Sequence, residues 1–123
     1  MVAIMTEKGV KPEIEAFDTG HLWLAKTLVN EGLLASPTPV QLGMGVRWGT
    51  PDELNTLLAM VNHVPRGRTW SAFSLGQYQM PFVAASVLAG GHVRDGLEDT
   101  PWLDKNVPAT NAHLVERARG IIE

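Results

Sequence analysis

The feature that most constrains the fold is a repeated order of strand followed by helix along the chain. Short strand-like segments begin near residues 14, 40, 69 and 91, and a segment with helical apolar spacing follows each of them. Alternation at this spacing is typical of right-handed βαβ units, whose strands lie side by side in a parallel sheet. The sequence therefore predicts an α/β chain made of four consecutive strand–helix units.

Local patterns predict where the helices begin. A helix is expected from about His21 to Asn30, directly after the first strand and its turn. Thr50 can cap a helix, Pro51 suits its first position and Glu53 completes a capping box, so the second helix is expected to begin there. The last helix is expected to be capped by Asn111, after a long loop.

Composition and charge narrow the classes of function. The 123 residues are 45% apolar and 19% charged, as expected for one modest globular domain. The net charge of −3 gives no indication of a nucleic acid or an anionic membrane as partner. Cysteine is absent, which rules out disulfides and thiolate metal sites and fits a reducing cytoplasm. Apolar runs are too short to span a bilayer and no signal peptide heads the chain, so a cytoplasmic protein is expected.

Polar residues collect where the predicted strands end. They are Glu15, Asp18, Arg47, Gln77, Gln79, Arg94, Glu98 and Asp99. A (β/α)₈ barrel keeps its active site at the carboxyl ends of its strands, and a complete barrel takes about 250 residues. Residues 1–123 are therefore interpreted as one partial TIM-barrel domain that supplies four of eight units. The absence of a Gly-x-Gly-x-x-Gly after the first strand weighs against a dinucleotide-binding fold.

The segment from Gly90 to Thr100 concentrates the charged residues. Side chains alternate across a strand, so Arg94 is expected on one face and Asp95 on the other. Burying an unpaired charge is costly, so the arginine and the nearby carboxylates are expected to pair, to bind a metal or to face a cleft. The alternative is an ordinary surface ion pair at a polar strand end.

Two long motifs stand out in the sequence, Pro12-Glu-Ile-Glu-Ala-Phe-Asp-Thr-Gly-His-Leu22 and Gly90-Gly-His-Val-Arg-Asp-Gly-Leu-Glu-Asp99. Both resemble the β-keto acid cleavage enzymes, whose type member is the 3-keto-5-aminohexanoate cleavage enzyme of lysine fermentation, and the helix start Asn111-Ala-His-Leu-Val115 is also similar. The resemblance covers nearly the whole chain but only the C-terminal half of a family member, from the fifth strand to the eighth. It implies a zinc-dependent (β/α)₈ barrel that reacts a β-keto acid with acetyl-CoA to give acetoacetate and a new acyl-CoA.

The resemblance also implies roles for individual residues. Glu98 matches the family's glutamate ligand of Zn²⁺, and its two histidine partners form a His-x-His pair that is absent from this sequence. Arg94 matches the arginine that holds substrate and intermediate negative charge, and Asp99 matches the catalytic aspartate, the expected base. A glutamate on the fifth strand lines the family's site, for which Glu15 fits best and Glu13 is the alternative.

Several other residues near the expected site are interpreted as structural residues or as residues at its border. Asp95 stands where the family commonly has a small apolar residue, and it is expected to point away from the barrel axis. His92 is interpreted as a packed histidine bonded to the backbone, whereas His21 borders the expected cleft. Trp48 is interpreted first as a packing aromatic and second as part of a substrate pocket.

Two functions compete with the acyl-transferring enzyme. One is a non-catalytic truncated half-barrel that keeps site residues without the zinc histidines. The other is a different barrel enzyme that acts on phosphorylated substrates, because the loops after the seventh and eighth strands of barrels often bind phosphate. In each case the outer strands near Ile14 and Val93 expose unpaired backbone groups, so a homo-oligomer is expected.

Overall fold

A parallel sheet of four strands forms the centre of the protein, seen in a computed structural model that describes residues 1–34 and 37–123. The strands lie in the order in which they occur in the chain, and every neighbouring pair is parallel. They are β1 (Ile14–Ala16), β2 (Val40–Met44), β3 (Trp70–Ser74) and β4 (His92–Val93). The predicted α/β class and strand order are confirmed. A sheet of this kind is consistent with part of a TIM barrel, and the closed barrel stays a prediction.

Helices follow the strands as the sequence predicts. In the described residues the α-helices are α1 (Val2–Glu7), α2 (Thr19–Asn30), α3 (Leu54–His63), α4 (Gln79–Leu88) and α5 (Asn111–Ile122). A short 3₁₀ turn, Gly76–Tyr78, leads from β3 into α4. None of these helices is both long and apolar enough to cross a bilayer.

The core lies between one face of the sheet and the helices. Alternate residues of β2 point into it, namely Val40, Leu42 and Met44, and all three are fully buried. The helices contribute Leu22, Leu57, Met60 and Phe82 to the same cluster. Because strand side chains alternate, the residues between these core positions lie on the other face of the sheet. That second face carries the polar side chains described below.

The predicted beginnings of α2 and α3 are wrong by a few residues. Asp18 caps α2, which begins at Thr19, and its Oδ1 accepts hydrogen bonds from the backbone N–H groups of Gly20 at 2.6 Å and His21 at 3.0 Å. Thr50 does not cap α3, because its hydroxyl donates instead to the carbonyl oxygen of Phe17 at 2.8 Å. The helix begins at Leu54, so the capping box is not formed.

The segment before α5 was predicted as a loop and contains a small hairpin. Its antiparallel strands are β5 (Trp102–Asp104) and β6 (Val107–Pro108). Thr110, not Asn111, caps α5, because the Thr110 hydroxyl oxygen accepts from the backbone N–H of His113 at 3.2 Å. The Asn111 Oδ1 accepts from the backbone N–H of Leu97 at 2.9 Å and so fastens the preceding segment to this helix.

Candidate functional site

Arg94 is the centre of a polar cluster on the face of the sheet that points away from the helices. The register pairs Ser71 with His92 and Ala72 with Val93. Ala72 is buried in the core, so alternation places Arg94, one residue beyond β4, on the opposite face. This confirms the side of the strand that the sequence predicts for the arginine.

The guanidinium of Arg94 collects polar partners from three parts of the chain. Its Nη1 donates to Gln41 Oε1 on β2 at 2.7 Å and to Glu15 Oε1 on β1 at 3.3 Å. Its Nη2 donates to Glu98 Oε2 at 2.7 Å and to Asp99 Oδ1 at 3.2 Å. Three carboxylates therefore surround one guanidinium, and the cluster carries an excess of negative charge.

An aromatic floor lies beneath this cluster. The guanidinium carbon of Arg94 is 4.2 Å from the centre of the Phe73 ring, a cation–π contact. Gly43, on the neighbouring strand, leaves room for this ring and for Phe17, since a Cβ there would lie 2.6 Å from the Phe17 ring and 3.1 Å from that of Phe73. A glycine in a strand interior often marks such a close approach. The aromatic floor and the side-chain amide of Gln41 were not predicted from the sequence.

Asp99 is the deeply placed carboxylate of the cluster, and Glu98 is the accessible one. The Asp99 side chain is 2% exposed, whereas that of Glu98 is 84% exposed. Burial raises the pKa of Asp99, the Arg94 guanidinium opposes that rise, and the neighbouring Glu98 charge adds to it. The Asp99 Oδ2 is buried without a hydrogen-bond partner in the described part of the chain. A carboxylate of raised basicity with one free oxygen is suited to accept a proton.

Two contacts, one from the 3₁₀ turn before α4 and one from the first residue of α4, hold the segment that carries this carboxylate. The backbone N–H of Gly76 donates to the carbonyl oxygen of Asp99 at 2.8 Å. The side-chain amide of Gln79, itself fully buried, donates from Nε2 to the carbonyl oxygen of Gly96 at 2.8 Å. The Asp99 carboxylate is therefore fixed from its backbone as well as by Arg94.

The described residues do not by themselves fit a zinc site. Among residues 1–34 and 37–123, no three histidine or carboxylate side chains lie where they could hold a metal together. The predicted ligand, Glu98, is instead bonded to Arg94. Zn²⁺ takes three or four protein ligands in its usual sites, so the role of Glu98 as a ligand stays a prediction.

All four residues singled out in the sequence, Glu15, Arg94, Glu98 and Asp99, meet in one cluster, although their chemical roles stay predictions. Glu13, the alternative to Glu15, is exposed on the same strand face. His92 is exposed, so its interpretation as a packed residue is wrong. His21 accepts from the backbone N–H of Phe17 at 3.0 Å and so serves the turn after β1.

Asp95 lies outside the Arg94 cluster, and its half-buried carboxyl is expected to cost stability. Its Oδ2 is buried without a hydrogen-bond partner in the described residues, and burial raises its pKa above the ordinary 3.8. The folded state then holds this proton more tightly than the unfolded state, so stability is lost as the pH rises from about 3.8 through the pKa of the folded state. Asp95→Asn is expected to raise the free energy of unfolding at pH 7 by less than about 1 kcal/mol, because water screens a carboxyl that is only partly buried.

Urea denaturation at several values between pH 4 and pH 7 tests this expectation. Asp95→Asn should flatten the pH dependence, whereas the exposed control Asp104→Asn should leave it unchanged. A variant that keeps the full pH dependence of the parent would show that Asp95 is not its source.

Known proteins resemble this chain over nearly all of its length. The beta-keto acid cleavage enzyme profile matches residues 1–123. The 3-dehydrocarnitine:acetyl-CoA trimethylamine transferase of Rhizobium meliloti (strain 1021) is 58% identical over the whole chain, which covers 41% of that relative. The 3-keto-5-aminohexanoate cleavage enzyme of Fusobacterium nucleatum is 36% identical over 93% of the chain and 42% of its own length.

A third relative, the 3-oxoadipate:acetyl-CoA acetyltransferase of Cupriavidus necator, is 32% identical over the whole chain and 45% of its own length. The chain thus spans less than half the length of the curated relatives it matches. The family profile nevertheless covers all of its residues. The chain belongs to the beta-keto acid cleavage enzyme family.

Proposed function

We propose that the protein cleaves a β-keto acid by exchange with acetyl-CoA, releasing acetoacetate and a new acyl-CoA. The observation that carries this proposal is the pairing of Arg94 with the buried Asp99 on one face of the sheet, in a chain matched by the family over its whole length. Arginine and a basic carboxylate are the two groups that such a reaction needs for anion binding and for proton removal.

Arg94 binds the negatively charged end of the substrate. A planar guanidinium matches a carboxylate or an oxyanion with two parallel hydrogen bonds. Among its present partners, Glu98 is the one most exposed to water and so the one that an incoming substrate carboxylate displaces at least cost. The Phe73 ring beneath the guanidinium keeps Arg94 in place when that exchange occurs.

Asp99 acts as the base. It takes a proton from the carbon between the keto and carboxylate groups, and that carbon then forms a bond to the acetyl carbonyl carbon of acetyl-CoA. The C–S bond of acetyl-CoA breaks as this bond forms and releases CoA thiolate, which attacks the original keto carbon. The bond between the original keto carbon and its neighbour then breaks, so the original acyl group leaves as the new CoA thioester, and the acetoacetate carbanion takes the proton back from Asp99. Burial of Asp99 favours this role, because a raised pKa makes its carboxylate a stronger base.

Zinc dependence, which the family resemblance implies, belongs to the same proposal. Glu98 matches the family's glutamate ligand, and the His-x-His pair that accompanies that ligand in the family is absent from this sequence. Zn²⁺ held beside Glu98 would supply Lewis-acid chemistry for a carbonyl group. The 123-residue chain alone is therefore expected to bind zinc weakly, because a usual site takes three or four ligands.

Isothermal titration of the purified chain with Zn²⁺ measures this directly. Weak binding that Glu98→Gln reduces further is the expected result. A tight site of one ion per chain would contradict the argument that ligands are lacking.

The proposed substrate is a β-keto acid of the 3-dehydrocarnitine type, with a trimethylammonium group beyond the keto carbon. It is supported by the 58% identity to the relative of that name. The second candidate is a 3-keto-5-aminohexanoate-type acid, supported by relatives that are 36% and 34% identical. Both acids carry a cationic nitrogen, which suits a cluster in which three carboxylates surround one guanidinium.

A substrate comparison tests the proposed function. The protein is assayed for thioester exchange with three β-keto acids that carry a trimethylammonium group, a primary ammonium group or no charge at that end. The trimethylammonium acid is expected to have the highest kcat/KM. Equal values of kcat/KM for all three acids would show that the protein does not recognise the charged group. If the folded protein catalysed no exchange, the non-catalytic alternative would be favoured.

A further inference from the structure

The pair Arg47–Trp48, in the turn that follows β2, combines three features that packing does not explain. Trp48 is 90% exposed, although tryptophan is a residue that proteins normally bury for the most part. Its φ angle is 70°, in the left-handed region that bulky residues avoid. The guanidinium carbon of Arg47 lies 4.9 Å from the centre of the indole ring. An exposed ring gains little packing energy, so it offsets little of the conformational free energy that the strained backbone costs. Backbone strain of this kind is found most often at functional sites.

The turn that presents this pair is firmly held. The backbone N–H of Gly45 donates to the carbonyl oxygen of Thr50 at 2.9 Å, and that of Gly49 donates to Val46 at 2.9 Å. The backbone N–H of Thr50 donates to the Phe17 carbonyl oxygen at 2.7 Å. The ring therefore stands on a rigid support that is tied to the turn after β1.

The location of the turn connects it with the candidate site. β2 and β4 are parallel to the same sheet neighbours, so the segments that follow them leave from the same end of the sheet. Arg94 follows β4 and the Arg47–Trp48 pair follows β2 at that end. A long ligand whose reactive group lies at Arg94 can therefore extend toward the turn that carries Arg47 and Trp48.

We propose that the Arg47–Trp48 pair binds the nucleotide end of acetyl-CoA, with the adenine ring stacked on the face of Trp48 that Arg47 does not cover and a phosphate group paired with Arg47. This inference rests on the proposed function, in which acetyl-CoA is the co-substrate. A planar base stacks on an exposed aromatic ring, and a guanidinium offers matched donors to phosphate.

The β-keto acid is a poorer fit to this pair. A trimethylammonium group is attracted to aromatic faces, but here the guanidinium of Arg47 already lies over the ring and repels a second cation. The carboxylate of the same acid has a partner in Arg94. An anionic ligand with an aromatic ring satisfies both members of the pair.

The test compares acetyl-CoA with acetyl-pantetheine, which has the same thioester and lacks the nucleotide. Trp48→Gly removes the ring and also releases the strain at φ 70°. The preference in kcat/KM for acetyl-CoA over acetyl-pantetheine is expected to fall about tenfold to a hundredfold, in line with the loss of one stacked base. The KM for the β-keto acid is expected to stay unchanged while the midpoint of urea denaturation rises.

Trp23→Ala is the matched control, because Trp23 is another tryptophan, 74% exposed, on α2 and outside the turn. It should leave the preference for acetyl-CoA unchanged. Arg47→Ala should lower that preference as Trp48→Gly does. The proposal would be overturned if Trp48→Gly kept the parent's preference for acetyl-CoA, or if it changed only the KM for the β-keto acid. It would also be overturned if Trp48→Gly dissociated an oligomer, because Trp48 would then belong to a contact between copies of the chain.

A second readout does not depend on turnover. Adenosine 3′,5′-bisphosphate is expected to quench tryptophan fluorescence of the parent and of Trp23→Ala, but not of Trp48→Gly. If no thioester exchange occurs and this quenching is seen, the proposed function fails and the nucleotide site stands. If exchange occurs and Trp48→Gly is quenched like the parent, the nucleotide site fails alone.

Discussion

Arg94→Ala is expected to lower kcat for thioester exchange by about 10²–10³-fold, as when one donor to a developing oxyanion is removed. The arginine is the only residue that contacts all three carboxylates of the cluster in the described part of the chain. Its removal leaves the buried Asp99 beside Glu98 with no balancing charge, so the variant is also expected to be less stable. Steady-state kinetics together with urea denaturation separate the two effects.

A second variant keeps the positive charge at position 94 and removes the planar guanidinium. Arg94→Lys retains one cation for the carboxylates, so its stability is expected to stay close to that of the parent. Lysine is a point charge and does not form the paired bonds of a guanidinium, so kcat still falls. The exposed loop residue Arg66 provides the control, and Arg66→Ala should change neither quantity. A normal kcat in Arg94→Lys would reduce the arginine to a structural charge.

Asp99→Asn is expected to lower kcat by about 10²–10⁴-fold, the usual contribution of a positioned general base. The amide has nearly the same shape and cannot take the proton. Because burial raises the pKa of Asp99, replacing the carboxylate with a neutral group is expected to raise the free energy of unfolding while it removes activity. A gain in stability with a loss of turnover is the signature of a group held for chemistry.

Asp95→Asn is the matched control for that variant, since Asp95 is a half-buried aspartate of the same segment that lies outside the Arg94 cluster. Both variants should be more stable than the parent, and only Asp99→Asn should lose turnover. Equal loss of activity in the two would indicate that the whole segment, and not the Asp99 carboxylate, is needed.

The architecture was predictable because its signals are local. Apolar spacing in each segment is enough to assign strand or helix, and the order of the segments implies a parallel sheet. The same alternation placed Arg94 and Asp95 on opposite sides of their strand. Two residues of the site, Glu98 and Asp99, follow Arg94 by only four and five positions in the sequence, so their closeness to the arginine followed from spacing.

The rest of the site depends on which strands lie side by side, and no single segment contains that information. Gln41 reaches Arg94 from β2, two strands away, and Phe73 lies beneath it on β3. A signal for Gln41 does exist, as it is the one polar residue of the strand Val40–Met44. Only the register of β2, β3 and β4 shows that this amide points to the arginine.

The wrong helix beginnings have a related cause. A threonine followed by proline and an acidic residue is a good local signal for a helix start, yet Thr50 bonds the carbonyl oxygen of Phe17, which is 33 residues away. The Thr50 hydroxyl therefore makes a long-range hydrogen bond instead of capping the helix that follows it in the sequence. The predicted association of copies through the outer strands β1 and β4, in contrast, stays a prediction.

The most direct test of the central claim follows the acetyl carbons. The protein is incubated with 3-dehydrocarnitine and with acetyl-CoA whose acetyl group is labelled with carbon-13, and the products are identified by mass spectrometry. The account predicts that both labelled carbons appear in acetoacetate, in the methyl and keto positions, and that the new CoA thioester carries the unlabelled trimethylammonium acyl group. Label that remains on CoA, or that appears only as free acetate, would contradict it.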